Sequence, residues 1–180
     1  AWGVKLFGGA ANPFAWRAAT AIAGTIAIIV LIRVILRLFH NLPIALFGGV
    51  LMAVDGVGIT MSRTGLLDIF IMVLALGAFS LLLMHRDWAK ARLGRAADPG
   101  ARPPQIAVSW YRIGAAVLLG LATGVKWSGT YFMAVFCVTS VLWDAWMRHQ
   151  AGYRRWFITG VLRDGALAAC TMLPAYALTY

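Results

Sequence analysis

Residues 113–147 read IGAAVLLGLATGVKWSGTYFMAVFCVTSVLWDAWM, an apolar stretch that is interrupted only by Lys126 and Asp144. A single helix of about 35 residues would be about 52 Å long, whereas the hydrocarbon core of a bilayer is about 30 Å thick. Two shorter helices fit this thickness, with a turn near Lys126-Trp127-Ser128-Gly129. The stretch therefore predicts two membrane-crossing helices that are joined by a tight turn.

Apolar runs of similar length occur along the rest of the chain. Of the 180 residues, 62% are hydrophobic and 12% are charged, against about 25% charged residues in a soluble domain. We therefore predict an all-α, polytopic transmembrane helical bundle that forms a single domain over residues 1–180. The predicted spans, about six in number, are 18–38, 44–61, 65–84, 110–125, 127–147 and 157–180, with cytoplasmic connectors at 85–112 and 148–156.

The basic residues indicate the orientation of these spans. The chain has 16 Lys and Arg residues against 6 acidic ones, and its formal net charge is +10. With two crossings over 113–147, most basic residues lie on one side, which the positive-inside rule makes the cytoplasm. Four lie on the other side: Lys5, Arg17, Arg63 and Lys126. The charge therefore reflects topology in a multi-pass plasma-membrane protein, and no nucleic-acid partner is expected.

Ionisable residues of the outer face form the candidate site. Arg63 and Asp68 lie five positions apart, and Asp55 precedes Arg63 by eight. Arg17 and Lys126 each stand where an apolar run meets the outer interface. If these cations converge, they form a cleft suited to a phosphate whose hydrocarbon tail stays in the lipid. The alternatives are structural ion pairs among the first three residues, and interface anchoring by Arg17 and Lys126.

The remaining polar residues suggest no other chemistry. No glycine-rich phosphate loop, metal-ligand spacing or Ser-His-Asp set is apparent in the sequence, so neither a metal nor a cofactor is expected. His40, His85 and His149 fall in predicted cytoplasmic turns, where an interfacial role is favoured over catalysis. Cys137 and Cys170 lie inside apolar runs and are interpreted as small buried residues.

Two motifs resemble segments of the protein O-mannosyltransferase family. VDGVGITMSRTGLLD (Val54–Asp68) is similar to the segment in which an acid is followed by Ser-Arg and then by Leu-Asp. GLATGVKWSGTYF (Gly120–Phe132) is similar to a second segment, which ends in Lys-Trp-x-Gly. Arg17, within AWRAATAIAG, matches an arginine that opens an early helix in these enzymes. The Ala, Arg and Gly-rich composition resembles the actinobacterial branch of the family.

The resemblance implies a membrane glycosyltransferase of the GT-C type. Such enzymes transfer mannose from a polyprenyl-phosphate-mannose donor to Ser or Thr of an exported protein, with inversion at the anomeric carbon. The active face would lie outside the cytoplasm, and the lipid-linked donor would be a substrate, with no cofactor required. Arg63 and Lys126 would bind the lipid phosphate, with Arg17 as a third cation, and Asp55 and Asp68 would orient these cations.

One departure from the family pattern concerns the catalytic base. The family places an acidic pair in its first outer loop, which a His-Pro-Pro-x-Gly-Lys motif closes, and neither feature occurs in these 180 residues. We therefore expect an internal fragment that starts just downstream of this loop, a catalytic base upstream of Ala1, and no activity of this chain alone. Two other functions stay open: a transferase that uses the same kind of donor with a different acceptor, and a non-enzymatic membrane module.

Overall fold

The structure, a computed structural model, describes residues 13–64, 67–95, 106, 108–153, 157–163, 165–167, 170, 174 and 177. Within these residues the regular structure is entirely helical, which confirms the predicted all-α class. The α-helices are α1 (Pro13–Phe39), α2 (Leu42–Val54), α3 (Gly56–Thr64), α4 (Asp68–Arg95), α5 (Trp110–Val125) and α6 (Gly129–Gln150). A short π-helix follows at Ile158–Arg163.

Several of these helices have the length and composition of membrane spans. In the described part of the chain, three helices are long and apolar enough to cross a membrane, over Arg17–Phe39, Asp68–Gly94 and Gly129–Gln150. Helices α2 and α5 are apolar but shorter. Large apolar side chains such as Phe47, Val50 and Leu142 are exposed, as is usual for a surface that contacts lipid. Nearly half of the predicted span at 157–180 lies outside the described residues, so the number of crossings stays a prediction.

The chain divides into two compact units, residues 1–77 and 78–180, with the boundary inside α4. In the first unit α1 packs against α2 and α3. At Gly48 and Gly49 of α2, the space that a Cβ would need is occupied by Ile35 and Ile32 of α1. These glycines therefore allow α1 and α2 to approach closely.

The span predicted at 44–61 is broken in the structure. Helix α2 ends at Val54 and α3 begins at Gly56, because Asp55 between them has an extended backbone with φ −64° and ψ 116°. The preceding turn also has a local cause. The Asn41 side chain accepts a hydrogen bond from the Ile44 amide at 3.2 Å and caps the start of α2.

In the second unit, the C-terminal part of α4 packs with α5 and α6. The Phe79 ring of α4 lies 5.6 Å from the Phe136 ring and 6.1 Å from the Trp143 ring, both on α6. Helices α4 and α5 also contribute a buried cluster of small and aliphatic residues: Ala78, Leu82, Ala115, Ala116 and Leu119. Helix α5 ends at Val125 and α6 begins at Gly129, so the turn falls where the sequence predicts it.

Both predicted connectors are shorter than expected. Residues 85–95 continue α4, residues 110–112 open α5, and residues 148–150 complete α6. The sequence predicted these polar segments as connectors, but several of their residues face the interior of the second unit. His85, Arg112 and Arg148 are each at most 2% exposed.

Candidate functional site

Asp55 caps helix α3 at the break after α2. Its Oδ2 accepts a hydrogen bond from the Gly58 amide at 2.8 Å, and its carbonyl oxygen accepts one from the Ile59 amide at 2.9 Å. A carboxylate at a helix N-terminus also interacts favourably with the helix dipole. The Asp55 carboxylate therefore fixes the start of the helix that carries Arg63.

Arg63 and Asp68 lie on either side of the junction between α3 and α4. Arg63 is in the last turn of α3, and its side chain lies outside the described part of the structure, as do residues 65 and 66. Asp68 is the first residue of α4 and is partly buried. Its carboxylate has the sign that the N-terminus of this long helix favours.

Arg17 is an exposed residue near the start of α1. Its carbonyl oxygen accepts a hydrogen bond from the Thr20 hydroxyl at 2.9 Å. One turn further along α1, Ala21 lines a cavity of about 270 Å³ in the first unit. Gly58 and Ile59 of α3 line the same cavity, as does Ile69 of α4. The structure thus brings α1, α3 and the start of α4, which carry three of the five candidates, around one largely apolar cavity. Asp55, a fourth candidate, caps α3.

Lys126, the fifth candidate, belongs to the second unit. It is exposed, has an extended backbone with φ −159° and ψ 141°, and ends α5 with a hydrogen bond from its amide to the Ala122 carbonyl at 3.2 Å. The neighbouring Trp127 is 64% exposed. The Lys-Trp-x-Gly motif therefore forms an open turn that presents a cation and an indole ring.

A buried polar network in the second unit was not predicted from the sequence. His85 of α4 contacts Ser109 through Nδ1 at 2.7 Å and Asp144 of α6 through Nε2 at 3.2 Å. Arg112 of α5 donates to the other carboxylate oxygen of Asp144 and, at 2.6 Å, to the Ser140 hydroxyl. These five residues connect α4, α5 and α6 in a region where each is at most 8% exposed.

The hydrogen-bond roles in this network indicate a structural function. The network contains the residue types of a Ser-His-Asp set, which the sequence did not reveal. A carboxylate only accepts, so Nε2 of His85 donates to Asp144, and in the neutral imidazole Nδ1 accepts from Ser109. However, the Ser109 oxygen also accepts the Arg112 amide at 3.2 Å, and Arg112 balances the Asp144 charge. The groups are thus mutually satisfied and hold three helices together.

One sequence signal does point to this network. Two members of the network, Ser140 and Asp144, lie four positions apart along α6, Arg148 follows after four more, and all three are buried. Positions four apart share one face of a helix, and ionisable residues in a membrane helix face the bundle interior. By contrast, no group of three or more His, Cys, Asp or Glu side chains that could hold a metal occurs in the described ranges.

Comparison with known proteins identifies the family. The family model for dolichyl-phosphate-mannose-protein mannosyltransferase matches residues 3–173. This chain belongs to that mannosyltransferase family. The matched range includes Val54–Asp68 and Gly120–Phe132. The family and the long apolar helices together indicate a membrane protein.

Three relatives of this chain share one description, polyprenol-phosphate-mannose–protein mannosyltransferase. The chain is 38% identical to one from Mycolicibacterium smegmatis strain MKD8 over 145 residues, which is 77% of this chain and 28% of the relative. It is 34% identical to one from Mycobacterium tuberculosis H37Rv over 158 residues, 85% of this chain and 30% of the relative. For Corynebacterium glutamicum the identity is 34% over 172 residues, 91% of this chain and 33% of the relative.

The chain thus spans about a third or less of the length of these relatives. No solved structure matches it.

Proposed function

We propose that this chain belongs to a membrane enzyme that transfers mannose from a polyprenyl-phosphate-mannose donor to Ser or Thr of exported proteins. The observation that carries this proposal is the family match over residues 3–173. The names of the relatives support both substrates, because each states a polyprenol-phosphate-mannose donor and a protein acceptor. The donor is consumed as a substrate, and the proposed reaction needs no resident cofactor.

The reaction requires a base and a group that stabilises the leaving phosphate. The acceptor hydroxyl oxygen attacks the anomeric carbon of mannose from the face opposite the phosphate, and a carboxylate takes the hydroxyl proton as general base. As the bond between the anomeric carbon and the phosphate oxygen breaks, its electron pair moves to the phosphate. Preorganised cations stabilise this growing negative charge most effectively. We assign this electrostatic role to Arg63 and Lys126, with Arg17 as a third cation.

The geometry of the first unit supports a positioning role for Asp55 and Asp68. The Asp55 carboxylate is engaged with the Gly58 amide, so its contribution is to set the direction of α3, on which Arg63 lies. Asp68 opens α4 just beyond the end of α3. We therefore propose that both residues position the cation-bearing segment, and that another carboxylate of the enzyme acts as the base.

The proposed reaction takes place at the outer face of the plasma membrane. Many Lys and Arg residues lie in or near the two polar connectors, and the positive-inside rule places such segments in the cytoplasm. The opposite ends of the helices would then face outwards. Arg63 and Lys126 then lie at the outer ends of their helices, where a lipid-linked phosphate and an exported acceptor can both reach them.

Substitution of Arg63 tests the proposal. In the protein expressed from the complete reading frame that contains this sequence, we expect Arg63→Ala to lower mannosyl transfer by about 100-fold or more, because one cation of the phosphate site is lost. The measurement is transfer of radiolabelled mannose from polyprenyl-phosphate-mannose to a Ser/Thr-rich peptide in isolated membranes. Lys126→Ala should also lower mannosyl transfer.

Arg95→Ala is the matched control, because it removes the same charge from the polar end of α4. It should leave the transfer rate unchanged. Full turnover by Arg63→Ala would exclude Arg63 from the site. If the unsubstituted protein transfers mannose to a lipid or polysaccharide acceptor and not to the peptide, the alternative transferase function is correct.

A further inference from the structure

A second cavity lies in the second unit, and its described lining includes none of the residues proposed to bind the donor phosphate. Its volume is about 690 Å³, and ligand sites in proteins typically measure about 300–1,000 Å³. Side chains from the end of α4 and from the start of α5 line it, among them Trp88, Arg92, Val108, Trp110, Tyr111 and Ile113.

One wall of this cavity is held in place by the protein core. The Arg92 guanidinium lies over the Trp88 ring, 5.2 Å from the ring centroid, and the His85 ring is 5.8 Å from that of Trp88. Trp88 also packs against a buried cluster: Ala89, Leu93, Ile106, Met147 and Tyr153. Because these neighbours fix the Trp88 ring, the stacked Arg92 is presented in a largely preformed position.

The polar groups of the described lining are suited to an anion. Arg92 supplies a permanent positive charge, and the Trp110 indole and Tyr111 phenol supply neutral donors. Trp110 is 87% exposed, so its ring is accessible to a ligand. Ser109 also lines the cavity, but its hydroxyl is engaged with His85. The described lining residues include no carboxylate that would repel an anion.

The apolar part of the lining indicates that the anion carries hydrocarbon chains. Val108 is 43% exposed, and Ile113 extends the wall along the apolar helix α5. On α4, the cavity lies after the apolar run, where Arg86, Lys90 and Arg92 follow in the sequence. Trp and Tyr concentrate at such membrane interfaces, and basic pockets between membrane helices bind anionic lipid headgroups.

We infer that this cavity binds the headgroup of an anionic glycerophospholipid. Arg92 contacts the phosphate, Trp110 and Tyr111 donate hydrogen bonds to phosphodiester or glycerol oxygens, and the acyl chains follow the wall that contains Val108 and Ile113. A soluble phosphate compound would use the cation but would leave this apolar wall exposed. The inference is independent of mannosyl transfer, because none of these residues belongs to the proposed donor site.

Native mass spectrometry tests the inference on the protein expressed from the complete reading frame and purified in detergent. The probes are phosphatidylglycerol and phosphatidylcholine with identical acyl chains. We expect phosphatidylglycerol to bind more tightly, and Arg92→Ala to raise its Kd by about tenfold, since a charged hydrogen-bond partner is lost. Arg92 is exposed, so this variant should fold normally, and Arg92→Lys should restore part of the affinity.

Lys90→Ala is the matched control. Lys90 is exposed on the same helix, two positions from Arg92, and is absent from the described lining. Its loss should leave the Kd unchanged. Equal weakening by Lys90→Ala and Arg92→Ala would overturn the inference, because binding would then follow only the net charge. Displacement of phosphatidylglycerol by an equal concentration of inorganic phosphate would also overturn it, by showing that the acyl chains contribute nothing.

Discussion

Asp144 is a charged residue with no exposed surface in the middle of a helix bundle. Its two carboxylate oxygens accept hydrogen bonds from different helices, one from His85 of α4 and the other from Arg112 of α5. Burying a single ion costs several kcal/mol unless partners compensate it. Asp144 is therefore stable in this position only while both neighbouring helices stay packed against α6.

Removal of Asp144 should destabilise the second unit strongly. We expect Asp144→Ala to lower the free energy of unfolding by about 3–5 kcal/mol, because Arg112 is then left as an uncompensated buried charge. The measurement is denaturant-induced unfolding of the purified protein in detergent. Asp87→Ala is the control, because Asp87 is 45% exposed and pairs with Arg86 at 3.4 Å. Its loss should cost less than about 1 kcal/mol.

A double substitution tests whether the stability of this region depends on the pairing of the two buried charges or only on packing. Arg112→Met combined with Asp144→Leu replaces the buried ions by apolar side chains and should be less destabilising than Asp144→Ala alone. The double variant could instead lose as much free energy of unfolding as the two single variants together. That result would contradict this prediction and would show that the two residues act independently.

At the scale of secondary structure, local interactions decide where two of the apolar runs are divided. Asp55 interrupts a run that hydropathy alone predicts as one helix, because its carboxylate caps α3 and its backbone is extended. The turn between α5 and α6 depends instead on a close approach. A Cβ at Gly129 would lie only 2.5 Å from the backbone of Ala122. The Lys-Trp-x-Gly motif therefore requires its glycine for packing.

Gly129→Ala should accordingly destabilise the turn that presents Lys126. The added methyl group would meet backbone atoms, which cannot rotate away, and we expect a loss of about 1–3 kcal/mol. The thermal unfolding midpoint in detergent provides the measurement. Gly94→Ala near the end of α4 is the control, because nothing lies within 4 Å of its added Cβ. It should be neutral or slightly stabilising, and an equal loss in both variants would contradict the close-contact explanation.

At the scale of the whole molecule, the distribution of charge predicts which ends of the helices face the cytoplasm. The turn at Lys126 would lie outside, whereas the charged end of α4 would lie inside. Cysteine labelling provides an independent measurement of this orientation. Because the native Cys137 is partly buried and Cys170 is exposed, both must first be replaced by alanine, together with any cysteine elsewhere in the complete reading frame.

In this cysteine-free background, Trp127→Cys should react with a membrane-impermeant maleimide added to intact cells. Trp127 is 64% exposed, so its position is accessible to the reagent. Lys90→Cys should react only after the cells are permeabilised, because it lies on the predicted cytoplasmic side. The reverse pattern would invert the topology and would place Lys126 on the wrong side for an exported acceptor.

The sequence by itself determined the helical membrane class and the family. Both depend on local information: the length of apolar runs measured against the thickness of a bilayer, and two short motifs that can be read without knowledge of the fold. The sequence also predicted the turn before Gly129. The convergence of Arg63 with Lys126 and Arg17 stays a prediction, which the Arg63 and Lys126 variants test.

Only the tertiary structure decided which polar residues meet. His85 lies 24 positions from Ser109 and 59 from Asp144 in the chain, and the sequence placed it in a cytoplasmic turn. It is buried because three helix faces converge on it. Helical periodicity shows which residues share a face of one helix, but it cannot show which faces of different helices pack together. That choice depends on side-chain fit among α4, α5 and α6, and it exists only in the folded bundle.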